Sequence, residues 1–230
     1  MALVGRSVSE SALPQDRKFY PAMATVIAAL VFAGFTPSFY ARDWSGGAGP
    51  LAGSVFVHGV AGTLFVLVFA TQSWLIAAGG EPWHRKLGVA GALLATALVL
   101  SGIVVTLNLE QSHIGESRRV LAAHVWTNAA PLAAFALLLA AGIWQRHAPA
   151  RHKRLMLLAA VVLLPPATGR LFSPLDLAWL NLPVYVCAAA ANVVYDVITR
   201  GRPHALSVFP AVALVAIDVT TTWWLATVGS

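Results

Sequence analysis

The chain has little charge and almost no thiol. Only 10% of its 230 residues are Asp, Glu, Lys or Arg, 58% are hydrophobic, and mean hydropathy is +0.74. A water-soluble fold needs more polar surface than that, which excludes a soluble globular domain. The single cysteine, Cys187, lies inside an apolar run, so no intrachain disulfide can form and the redox compartment cannot be read from it. There is no phosphate-binding glycine loop, nucleophile elbow or HExxH, which disfavours nucleotide enzymes and hydrolases. Acids are few, nine against fifteen Lys and Arg, giving a net charge of +6. In a soluble chain such a balance points to nucleic acid. Here the bases fall in short loops between apolar runs, where they report topology and lipid contact instead.

Long apolar runs are what the chain has in plenty. Blocks such as 21–35, 55–78 and 87–107 approach or exceed the ~20 residues that cross ~30 Å of hydrocarbon at about 1.5 Å per residue. Breaks at Gly, Pro and charge clusters predict seven spans, at 20–40, 51–79, 82–107, 119–145, 152–171, 175–198 and 205–228. The expectation is an all-α polytopic membrane helix bundle, a single transmembrane domain over 19–230. It is preceded by a polar, disordered cytoplasmic segment over 1–18. Eleven bases (Arg6, Arg17, Lys18, Arg85, Lys86, Arg146, Arg151, Lys153, Arg154, Arg200, Arg202) fall on one side of this topology, and four (Arg42, Arg118, Arg119, Arg170) on the other. That asymmetry puts the N-terminus in the cytoplasm and the C-terminus in the periplasm of a bacterial inner membrane. Trp74, Trp83 and Trp144 toward the inner ends, with Trp44, Trp126, Trp179, Trp223 and Trp224 toward the outer ones, fit two interfacial aromatic belts.

Spans two and three resemble spans four and five, which reads as a duplicated two-helix unit with a core over 51–171 and spans one, six and seven packed around it. Each unit opens with a histidine just inside its outer end, His58 in FVHGVAG and His124 in AAHVWTN. Each then turns at the inner face into a basic histidine motif, HRKLG from His84 and HKRLM from His152. Spans two and four run the same way, so His58 and His124 share the outer side, and His84 and His152 the inner one. His84 shares a helix face with Gly88, Gly91, Ala95 and Gly102, a small-residue strip that admits a neighbouring helix or a flat ligand. His152 shares its face with Met156, Ala159, Leu163, Pro166 and Arg170, and the Pro165-Pro166 step is expected to kink that helix. Arg170 near the outer pair suits an anionic partner. Haem iron held by two neutral imidazoles needs histidines from facing helices with apolar and small residues around the macrocycle, and four such histidines would make two sites, one per leaflet.

Four histidines on four consecutive core helices, paired second with fourth and third with fifth, resemble the arrangement of the cytochrome b561 family. HRKLG is also similar to the histidine-x-x-leucine/isoleucine-glycine segment at the corresponding helix start there. The likeness covers about 51–171. It implies haem b, one or two, with His58 and His124 as metal ligands of the outer group, His84 and His152 as those of the inner one, and Arg170 on a propionate. The implied function is bis-histidine, haem-mediated transmembrane electron transfer, with a quinol or respiratory-chain partner in the bilayer. The pair HRKLG and HKRLM is also similar to bacterial seven-helix membrane proteins of unknown function.

Other functions fit the same pattern. A proton-coupled small-molecule transporter would use Asp218, the acid deepest in its span, as proton carrier. A non-catalytic assembly or scaffold protein of a respiratory complex would need no second chemical group. At His84 and His152 the plainer role is to cap an interfacial helix start and hold lipid phosphates; at His58 and His124 it is a hydrogen bond to a neighbouring helix. His113, His147 and His204 read as solvated, and Asp196, Arg200 and Arg202 as an ordinary helix end.

Overall fold

Each apolar run becomes a helix whose ends are set by local backbone chemistry. A computed structural model describes residues 13–43, 50–112 and 118–228, with side chains through 108 and 227 in the last two stretches. The helices are α1 (Asp16–Phe35), α2 (Gly53–Ala77), α3 (Glu81–Ser112), α4 (Arg118–Trp144), α5 (Pro149–Val161), α6 (Leu164–Phe172), α7 (Asn181–Arg200) and α8 (Ala205–Val228). A wide π-type turn over Thr36–Tyr40 extends α1. Glycine stops two of them: Gly79, at φ 80, follows α2, and Gly201, at φ 73, follows α7 and donates its N–H to Val197 O at 3.0 Å. No strand occurs among the described residues, and seven spans are long and apolar enough to cross a membrane. The seven-helix expectation holds. The predicted disorder over 1–18 lies outside the described residues for 1–12, and from Leu13 it is overturned by a turn that leads into helix at Asp16.

The fifth span is broken as the prolines require. Pro165 and Pro166 carry no N–H, so the carbonyls of Val161 and Val162 lose their helical donors. The helix ends at Val161, Leu163 N–H bonds Ala160 O at 3.1 Å, and α6 restarts with both prolines in its first turn, where a missing donor costs nothing.

This broken span is the axis of the bundle. In its apolar stretch 56% of residues are buried, against 17–28% in the other six spans. Those six form a ring in the order α1, α2, α3, α4, α8 and α7, closed by Phe19 of α1 stacked on Tyr195 of α7 with ring centres 4.1 Å apart. Through the ring runs α5–α6, packed against α1, α4, α7 and α8. Spans one, six and seven are therefore not a shell around a core of spans two to five, because three of the span-five neighbours come from outside that set. Close approach explains the choice of neighbour. A Cβ at Gly34 of α1 would meet Ala167 O of α6 at 2.1 Å, so only glycine lets these two backbones touch. On the outside of the ring Leu137, Ile198, Phe209 and Val212 are exposed, as lipid contact requires, and so are Trp74, Trp83, Trp144, Trp126, Trp179 and Trp223 near the two boundaries.

Candidate functional site

The face that gathers most of the bases also brings two histidines together. The Gly79 turn reverses the chain from α2 into α3, and His84 falls in the first turn of α3 with its N–H on Gly80 O at 3.0 Å. His152 falls in the first turn of α5, with its N–H on Ala148 O at 3.0 Å. The two rings lie 6.2 Å apart between centres and nearly perpendicular, at 87°. His152 Nδ1 is 2.8 Å from Gly142 O at the end of α4. A carbonyl only accepts, so Nδ1 carries the proton and Nε2 keeps the lone pair. His84 Nδ1 is buried with no hydrogen-bond partner.

Next to the pair, the small-residue strip of α3 is a helix seam. A Cβ at Gly88 would meet the amide nitrogen of Gln72 at 3.3 Å, and one at Gly91 would meet Val68 at 3.2 Å, both from α2. Gln72 Nε2 donates to His84 O at 3.1 Å, while its Oε1 is buried without a partner. Gly88 and Gly91 thus serve the approach of α2.

The outer histidines, His58 and His124, differ in level along their helices. His58 Nδ1 is 3.0 Å from Ser101 Oγ, and that hydroxyl donates to Leu98 O at 3.1 Å, so the ring is tied to α3. On α4, His124 offers its backbone carbonyl to Asn128 Nδ2 at 2.8 Å. The offset has a geometric reason. Phe65 of α2 and Phe135 of α4 meet edge to face at 5.2 Å. From that level His58 is seven residues up its helix and His124 eleven up the other, a difference of roughly 6 Å at about 1.5 Å per residue.

Arg170 also departs from its expected neighbours. The break at Val162–Leu163 resets the register between His152 and Arg170, and the guanidinium turns toward α1. There it lies 4.8 Å over the Phe35 ring and donates to Pro166 O at 2.7 Å.

Sequence reading missed a buried ion network beside His152. Arg154 and Asp196 are wholly buried and joined by two hydrogen bonds, Arg154 Nε to Asp196 Oδ2 at 3.0 Å and Nη2 to Oδ1. Asp196 also accepts from Ser207 Oγ at 2.6 Å and from the His204 N–H at 3.4 Å. Asn192 Nδ2 donates to Arg154 O at 3.2 Å. Beside them Asp16 pairs with Lys153 at 2.5 Å and accepts from Tyr195 OH at 2.8 Å. Arg200, its side chain 6% exposed, lies 3.7 Å from Asp196 and 3.9 Å from Asp16. So Lys153, Arg154 and Arg200 face inward and pin α1, α5 and α7 to one another, with Ser207 adding α8. His204, half-buried just before α8, accepts the Leu206 N–H at 3.0 Å on Nδ1; His113 lies outside the described residues.

Among the described residues no group of three or more His, Cys, Asp or Glu side chains converges to hold a metal ion. Asp218 is half-buried on α8, within electrostatic reach of the buried Tyr185 on α7. Comparison of the chain with protein-family models, with curated proteins and with solved structures finds no match.

Proposed function

We propose that the chain is a membrane redox protein that holds one haem b between His84 and His152 and passes single electrons between partners at its basic face. The observation that carries this is the 6.2 Å separation of the two rings. A metal–imidazole bond is about 2 Å and the nitrogen sits about 1 Å from its ring centre, so two imidazoles that would hold one metal between them are roughly 6 Å apart between centres. Haem b supplies a one-electron carrier when bound there. His152 would hold the group through Nε2, kept in the correct tautomer and made more basic by its Nδ1–H bond to Gly142 O. His84 would be the second residue to hold it. Lys153 and Arg154, anchored to Asp16 and Asp196, hold the first turn of α5 and so fix the His152 ring. The exposed Arg85, Lys86 and Arg146 on the same face suit an anionic partner or lipid surface, and the charge asymmetry favours a cytoplasmic orientation for it. His58, whose Nδ1 is engaged with Ser101, is outside this site, and one haem is assigned, to the His84–His152 pair.

The test is a visible spectrum of protein expressed with ample haem. A Soret band and a sharpened reduced α band are expected in the wild type and in His58→Ala and His124→Ala, and both are lost in His84→Ala and His152→Ala. Wild-type protein without a Soret band overturns the reading. One observation favours a second one. The buried, unpartnered Gln72 Oε1 beside His84 would complete a three-donor site for a transition-metal ion in place of haem. That version predicts one equivalent of metal, no Soret band, and loss of the metal in Gln72→Leu.

A further inference from the structure

Hydrogen bonds to Asp196 from Arg154 and Ser207 set α5, α7 and α8 at one level near the basic face. Eleven residues outward from these partners lie Pro165, Tyr185 and Asp218, which therefore share one depth, about 16 Å further into the bundle. Three features coincide there. On α8, Ser207, Ala211, Leu214 and Thr221 are buried at helical spacing, and the half-buried Asp218 falls on the same inward stripe. No described Lys, Arg or His is near enough to neutralise it. The ionisable group within its electrostatic reach is Tyr185, 3% exposed on the inward stripe of α7; Cys187 of α7 is exposed. His124 of α4 lies further out, past the contact of Trp126 with Trp224, and Arg154 of α5 lies at the inner level with Asp196. One turn outward from Asp218, Thr221 Oγ1 is buried without a hydrogen-bond partner, although Thr71, Thr127 and Thr220 each return theirs to the carbonyl four residues back. Finally, the break in span five ends α5 just short of this depth, with the carbonyls of Val161 and Val162 deprived of their helical donors. Beyond it α6 packs chiefly on α1 and α7, so span five leans away from the inward face of α8. The C-terminal end of a half-helix in a bilayer carries partial negative charge and freed carbonyls, both of which favour a cation.

A carboxylate inside a membrane bundle needs a neutralising charge, and here the groups around it are neutral oxygens. One positive charge balances one carboxylate, whereas a divalent ion would leave an excess. Carboxylate, hydroxyl and carbonyl oxygens suit a hard ion rather than a soft transition metal. We propose that Asp218, Tyr185 and Thr221 form a binding site for one sodium ion between α7 and α8, beside the end of α5. Asp218 supplies the charge, and the tyrosine and threonine hydroxyls replace water in the shell of the ion. A proton competes with sodium for the same carboxylate. The site does not depend on the histidine pair.

The experiment compares the thermal stability of the purified full chain in sodium chloride and in choline chloride at equal ionic strength, read as the monodisperse fraction on size exclusion after heating. Sodium at about 200 mM should raise the midpoint by about 3–8 °C over choline. Acidification should raise the half-effective sodium concentration, by up to about tenfold per pH unit once the carboxyl is mostly protonated. Asp218→Asn should abolish the difference between the salts. Thr221→Val keeps the shape and removes an unsatisfied buried hydroxyl, so stability in choline should be unchanged or slightly higher while the half-effective sodium concentration rises at least about fivefold. Should Asp218→Asn fail to fold, the wild-type salt and pH series and Thr221→Val decide the matter. Equal midpoints of the wild type in the two salts overturn the proposal. So does a sodium effect that survives Asp218→Asn, that ignores pH, or that keeps its wild-type half-effective concentration in Thr221→Val, since the ion would then lie outside this site.

Discussion

Replacing Asp196 by Asn removes one charge from the centre of the buried network and changes little in size. Asp196 takes two hydrogen bonds from Arg154, one from Ser207 and one from the His204 backbone, and neither it nor Arg154 is exposed. Asp196→Asn therefore strands a guanidinium in the interior, because Asp16, the nearest other carboxylate of the network, is engaged by Lys153 and Tyr195. Breaking a buried pair from one side costs about 3–5 kcal/mol. For a chain of this length each kcal/mol moves the melting temperature by about 2–4 °C, so a fall of roughly 6–20 °C is expected. The assay is the monodisperse fraction of detergent-solubilised protein on size exclusion after heating. Arg154→Met combined with Asp196→Leu removes both charges at similar volume and should recover most of the loss, since apolar replacement of a whole buried pair is near neutral. A loss below about 1 kcal/mol in Asp196→Asn, or a double variant as unstable as the sum of its singles, would refute the assignment of the network as the staple of α1, α5, α7 and α8.

Two glycines on the same helix contact should behave oppositely. Gly34→Ala drives a methyl into the Ala167 backbone and should lower the melting temperature by several degrees, about 1–3 kcal/mol, while Gly169→Ala, with open space and a helical backbone, should leave it unchanged or raise it slightly. Ser101→Ala removes the partner of His58 and should cost only about 0.6 kcal/mol, the average for a hydrogen bond between membrane helices, with no effect on any cofactor spectrum. Reporter fusions at the two termini should fall on opposite sides of the membrane, as seven spans require, with the N-terminal one inside; termini on the same side would contradict the span count.

The spans were legible because apolar run length is a one-dimensional signal, and the break in span five because proline removes a donor wherever it stands. The pairing of His84 with His152 could be read because both follow helix starts at the same face. What the sequence leaves open depends on depth and rotation. The outer histidines share a side of the membrane but not a level, since their distances from the Phe65–Phe135 contact differ by a helical turn. Arg170 was aligned with His152 on one continuous wheel that the Pro165-Pro166 break does not preserve. Lys153 and Arg154 looked like loop bases because they follow His152 at the helix start. Their partners are 16 and 196, far apart in the chain, and only the packing of α1 and α7 against α5 reveals them. One signal was present: Asp196 and Arg154 are opposite charges near the same end of two apolar spans, which membrane helices carry only when paired.

The most direct test of the central claim is the haem content of purified full-length chain, by pyridine haemochrome against amino-acid analysis. One haem per chain, lost in His152→Ala and retained in His58→Ala, is the predicted result. Two haems per chain would mean that His58 and His124 do form a site, and none would mean that the His84–His152 pair holds no haem at all.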